Sequence, residues 1–113
     1  MTATIAGQDY DLRFTFRVFK AITSYLGFPK LQAGQNMMAE IGFDNVPNLI
    51  SITITENLRK QGVKGKTPSH DQIADALDDH PEYLGEFITA LGDGYGALFP
   101  EADAAAQKLE AGE

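Results

Sequence analysis

The first fourteen residues alternate. Ala3-Thr4-Ile5-Ala6, a turn at Gly7-Gln8-Asp9, and Tyr10-Asp11-Leu12-Arg13-Phe14 read as two short strands joined tightly. At a period of two, Tyr10, Leu12 and Phe14 share one face and Asp11 and Arg13 the other. A lone hairpin is marginal in water, so its apolar face needs a platform. The next segment supplies one. Phe16, Phe19, Ile22 and Leu26 recur at helical spacing, Thr15 is suited to cap the start, and Gly27 followed by Pro29 ends the run.

Further along, a short helix is expected around Asn36-Met37-Met38-Ala39-Glu40-Ile41, flanked by Gly34 and Gly42. Ile50-Ser51-Ile52-Thr53-Ile54-Thr55 alternates like a strand and is rich in β-branched residues. Val46, Leu49, Ile50, Ile54 and Leu58 also trace a helical stripe, with Asn45 placed to cap it, Pro47 in its first turn and Gly62 at its end. Strands seldom run that long, which favours helix. After the basic, Gly-rich loop Lys60–Lys66, Ser69 and Gln72 have capping-box spacing, and Ile73, Ala74 and Leu77 stripe a helix broken at Asp78-Asp79-His80-Pro81. Leu84, Phe87, Ile88 and Leu91 stripe another, which Gly92 should stop. Asp93–Pro100 then reads as a turn with an apolar patch. The expected fold is α+β and mainly helical, an N-terminal β-hairpin packed on four or five helices. Residues 1–100 form one domain, and 101–113 form an acidic Ala/Glu-rich tail, a weak helix or disordered.

Composition narrows the chemistry. A chain of 113 residues can bury a core without disulfides or metal, and with no Cys it has no thiol nucleophile, Cys-based zinc site or iron–sulfur cluster. No apolar run approaches a membrane span, and the N-terminus lacks a signal-like pattern, so a soluble cytoplasmic protein is expected. The net charge of −7 divides unevenly. Residues 1–66 carry eight of nine Lys/Arg and five carboxylates, a net +3. Residues 67–113 carry one Lys and eleven carboxylates, a net −10. That split permits head-to-tail self-association, while cations so few and outnumbered argue against nucleic acid as the main partner.

The catalytic inventory is thin. His70 and His80 stand ten residues apart at different helix ends, outside any zinc-protease pattern. Asp75, Asp78 and Asp79 could pair for acid–base work, but nothing apolar brackets them, and a solvated helix face is the simpler account. Gly92-Asp93-Gly94-Tyr95-Gly96 follows a helix rather than a strand and is acidic, unlike a phosphate-binding loop. Asp9 and Asp11 do not continue into a calcium-loop series, and Ser24, Ser51 and Ser69 lack the context of an activated nucleophile. No catalytic residue, metal site or cofactor is expected. A small hydrolase or metal enzyme would need a polar pocket around His70 or His80. Two apolar clusters point instead to partner binding: Met37, Met38, Ile41 and Phe43, and Tyr95, Leu98 and Phe99. Completion of the core is the competing account of both.

Taken in order, Ile5-Ala6-Gly7-Gln8-Asp9-Tyr10-Asp11-Leu12-Arg13-Phe14 running into Phe16, Phe19, Ile22 and Tyr25-Leu26-Gly27, then Met37-Met38, the helix entered through Asn45-Val46-Pro47, and Thr67-Pro68-Ser69-His70-Asp71-Gln72-Ile73-Ala74-Asp75-Ala76-Leu77 resemble the short tail assembly chaperones of long-tailed, siphovirus-like phages and prophages. The resemblance covers roughly residues 3–99, and its most specific part is the hairpin-to-helix entry. It implies a non-enzymatic factor in the host cell cytoplasm. Such a factor binds the tape measure protein, keeps it soluble while tail tube subunits polymerise around it, and is absent from the finished tail. It further implies recruitment of the tail tube protein through a longer, frameshifted form. A structural virion component, such as a tail completion or tube-associated protein, is the alternative.

Overall fold

The computed structural model describes residues 1–27, 40–62, 65 and 67–98. Among the described residues an N-terminal hairpin is followed by four helices, an α+β and mainly helical fold. Strands β1 (Thr2–Ile5) and β2 (Gln8–Asp11) pair antiparallel, with Ala3 opposite Tyr10 and Ile5 opposite Gln8. The turn is Ala6-Gly7 rather than Gly7-Gln8-Asp9, and Gln8 and Asp9 belong to β2. Both turn residues have positive φ, 53° and 79°, the two-residue geometry that matches strand twist. Gly7 takes it freely. Ala6 carries the strain, an expense the cross-strand ladder covers. The hairpin buries Ala3, Ile5, Tyr10 and Leu12 on its inner face.

Helix α1 (Phe16–Leu26) starts where Thr15 Oγ1 accepts from the Val18 N–H, and ends on Gly27 at φ 83°. Its buried residues are Val18, Phe19 and Ile22, whereas Phe16 is 60% exposed. At about 100° per residue, Phe16 lies more than a quarter-turn from the centre of that stripe. Spacing to Phe19 alone therefore misplaced it.

Helix α2 (Val46–Gln61) settles the Ile-Thr segment as helix. The Thr53 and Thr55 hydroxyls donate to the Leu49 and Ser51 carbonyls one turn back, both at 2.8 Å, so the β-branched run meets its polar needs inside the helix. Asn45 occupies the N-cap position without capping. Its side chain turns backward, Oδ1 accepting from Gly42 N at 2.7 Å and Nδ2 donating to Glu40 O at 2.8 Å. Val46, Leu49, Ile50, Thr53, Ile54 and Asn57 are buried, which places α2 at the centre of the molecule. Tyr25 near the end of α1 meets Asn48 near the start of α2, and Arg13 before α1 meets Asn57 late in α2, so the two helices run antiparallel.

Helix α3 (His70–Asp79) has the expected capping box. Gln72 N donates to Ser69 Oγ at 3.1 Å, and Ser69 N donates to Gln72 Oε1 at 2.9 Å. It buries Ile73 and Ala76, and Leu77 packs against the core edge. Helix α4 (Glu82–Leu98) runs straight through Gly92-Asp93-Gly94-Tyr95-Gly96, where a stop and a turn were expected. Tertiary packing overrides propensity here. A Cβ on Gly94 would lie 2.8 Å from Phe14 Cβ, so only glycine lets α4 approach the aromatic cluster this closely. Tyr95 sets its ring edge-on to Phe19 at 5.8 Å. Replacing Gly94 by alanine should destabilise the protein by about 1 kcal/mol, overpacking outweighing the gain in helix propensity. At Gly85, where nothing lies within 4 Å, the same change should stabilise by up to about 1 kcal/mol. Urea midpoints of the two variants should therefore move in opposite directions.

The core joins both layers: hairpin residues Ile5 and Leu12 meet Phe19, Ile22, Leu49, Ile54, Ile73, Phe87 and Leu91 in one cluster. Of the short helix expected at residues 36–41, positions 36–39 lie outside the described residues, and Glu40 and Ile41 are not helical. The tail, residues 101–113, also lies outside them.

Candidate functional site

The residues expected to bind a partner divide sharply. Met37, Met38 and Phe99 lie outside the described residues, and Leu98 is the last residue of α4. Ile41 and Tyr95 are partly buried and pack against the core, so for these two the core account holds. Phe43 does the opposite. It is 85% exposed, the most exposed of the large hydrophobic residues described.

How Phe43 is held gives that exposure meaning. The turn carrying it is pinned from three sides. The Asn45 side chain bonds Gly42 N and Glu40 O, the Asn45 N–H donates to Gly42 O at 3.2 Å, and the Val46 N–H donates to the same oxygen at 3.1 Å. A well-bonded turn thus presents an aromatic ring to water, with its backbone entropy already spent. Tyr25, 47% exposed, lies at the same end of the α1–α2 pair, its hydroxyl accepting from Asn48 Nδ2 at 2.9 Å. Nothing in the sequence marks Tyr25 as a surface residue, because it falls beside the apolar stripe of α1. Phe16 sits at the opposite end of that pair.

The polar candidates are placed differently. Asp75, Asp78 and Asp79 are exposed along α3, the solvated helix face expected of them, and Asp71 is exposed with them. His70 opens α3 and His80 closes it, about 15 Å apart along the axis, too far to share an ion. His80 stacks on Tyr83 with ring centroids 4.6 Å apart, and its Nδ1 lies 3.3 Å from Glu82 Oε1. Tyr83 in turn accepts the Thr4 N–H at 3.1 Å, tying the start of α4 to β1. His80 also borders a cleft of about 260 Å³ shared with Thr4, Asp75 and Asp79. Among the described residues no group of three His, Cys, Asp or Glu could hold a metal ion, and no helix is long and apolar enough to cross a membrane.

The described residues present an exposed aromatic, an acidic helical face and a second groove beside β2. Comparison of the chain with protein-family models, with curated proteins and with solved structures gives no match.

Proposed function

We propose that this chain is a phage tail assembly chaperone, which binds the tape measure protein and keeps it soluble in the host cell cytoplasm until the tail tube has assembled around it. The observation that supports the reading is Phe43, held out to solvent on a hydrogen-bonded turn. Burying such a ring against an apolar helical face gains about 2–3 kcal/mol, the scale of an interface anchor. Long helical proteins with uncovered apolar faces aggregate, and covering those faces prevents it. Charge supports the same role. Residues 67–98 hold seven carboxylates and no Lys or Arg, so a partner coated with copies of this chain would carry a repulsive acidic surface. The basic first half and acidic second half would let neighbouring copies associate along the partner. Tail tube protein would be recruited through a longer, frameshifted form.

Replacing Phe43 by glutamate should weaken binding to the tape measure protein at least about tenfold, with the circular dichroism spectrum unchanged. The matching change at Phe16, at the far end of α1–α2, should leave binding intact. Equal binding by the Phe43 variant and the unaltered chain would contradict the assignment of this surface. Purified particles should lack the chain, whereas a structural virion component would be present at fixed stoichiometry.

A further inference from the structure

Among the described residues the sheet has two strands, so each keeps a second edge. Backbone parity tells where those edges point. Leu12 N–H donates to Met1 O at 2.7 Å, in step with the pairs Ala3–Tyr10 and Ile5–Gln8. Gln8, Tyr10 and Leu12 therefore bond inward to β1, while the N–H and C=O of Asp9, Asp11 and Arg13 point outward. On β1 the same parity turns the Thr4 N–H outward, where the Tyr83 hydroxyl accepts it and α4 closes the edge.

Among the described residues, the outward edge of β2 is closed at one place. The Asn57 carboxamide takes both groups of Arg13, accepting its N–H at 2.7 Å and donating to its C=O at 2.8 Å. That is the pairing a third strand would make, supplied by a side chain of α2. Beyond Asn57, the outward N–H and C=O of Asp9 and Asp11 have no partner among the described residues. They border a groove of about 300 Å³ between β2 and α2, to which Tyr10, Leu12, Ile54 and Leu58 contribute.

We propose that this groove receives an extended segment of another polypeptide, which adds to β2 as a third strand. Successive side chains of an added strand point to opposite faces. One set would lie over Tyr10, Ile54 and Leu58 and is apolar. The other would lie on the solvent face, where Asp11 already pairs with Arg13 at 3.0 Å and Asp9, accepting only from the Thr4 hydroxyl at 2.6 Å, has no cationic partner among the described residues; opposite Asp9 that set is Lys or Arg. The occupant is thus a strand alternating apolar and basic residues. A second copy of this chain fits poorly, because antiparallel pairing of two β2 edges sets Asp9 and Asp11 of one against those of the other. The groove follows the last half of α2 and lies away from Phe43, so this proposal does not rest on the chaperone reading.

The test uses the full chain and a fluorescein-labelled octapeptide of alternating Val and Lys. Its controls are the same peptide N-methylated at the amides that would face β2, and an alternating Val-Glu octapeptide. The Val-Lys peptide should bind at least about tenfold more tightly than either control by fluorescence anisotropy, and should shift the amide resonances of Asp9 and Asp11. Asp11→Pro, which removes an outward donor without touching the β1–β2 ladder, should abolish binding, while Asp11→Asn should only weaken it. Equal affinity for the N-methylated peptide would overturn the proposal, since attraction would then be charge alone. Absence of binding by every peptide would also overturn it, leaving Asp9 and Asp11 as charges that guard a bare edge. A dimer in sedimentation that protects these same amides would give the edge to a second copy and refute the proposal as well. The modified peptides leave the protein unaltered, so a variant that fails to fold does not decide the outcome.

Discussion

Truncating Phe19 to alanine should cost about 3–5 kcal/mol, the largest loss expected from any single side chain here. Phe19 is almost fully buried and stands at the junction of three elements. Its ring lies 6.1 Å from that of Phe14, which in turn packs on Phe87 at 5.5 Å, and Tyr95 sets its edge against it from α4. Gly94 also lies against it, so removing the ring opens a cavity lined by the N-terminal segment, α1 and α4 together. Those elements are held by one another and cannot collapse inward independently, which places the loss toward the upper part of the range. Urea unfolding followed by circular dichroism should show the midpoint falling with the slope unchanged. Truncation of the exposed Phe16, three residues earlier, should change stability by less than about 0.5 kcal/mol. A loss at Phe19 below about 1.5 kcal/mol would mean that the C-terminal half of α4 does not pack as described.

Asn57→Ala is the second large effect, about 2–3 kcal/mol from a residue with no charge and little apolar area. Asn57 is 7% exposed and supplies both hydrogen bonds to the Arg13 backbone, 44 residues away in sequence. Alanine removes both bonds and leaves a partly buried N–H and C=O without their protein partner, which costs more than the bonds themselves contribute. The same clamp fixes the angle at which β2 leads into α1. Amide hydrogen exchange should therefore speed up at Arg13 well beyond the change expected from global destabilisation alone. Unaltered exchange at Arg13 would show that the carboxamide does not hold that strand.

The parts of the fold legible in the sequence are those written by local rules. Period-two alternation placed the hairpin, Thr15 and Gly27 bounded α1, and Ser69 with Gln72 marked the start of α3. The Ile-Thr run could be read two ways, and length with Pro47 pointed to the helix that forms. What was not legible depends on contacts across the chain. Three glycines within five residues look like a stop, but Gly94 is there for Phe14, eighty residues earlier. Phe16 has the spacing of a core residue and lies outside the core, because a stripe's centre is fixed only by what packs on it. Asn45 has a capping identity and uses it to build the turn under Phe43 instead. Of the two apolar clusters, Phe43 is exposed to solvent, whereas Tyr95 and Ile41 pack against the core. The edge of β2 is invisible in sequence, since strand parity and the reach of Asn57 exist only once α2 is in place.

We propose that this chain solubilises a long helical partner by covering its apolar faces. The most direct test is co-expression with the long coiled-coil-like protein encoded nearest downstream, followed by a solubility comparison and pull-down. The long protein should become soluble only when this chain is present, and should co-purify with many copies of it. A long protein that stays insoluble and unbound beside abundant folded chain would show that this chain does not cover it.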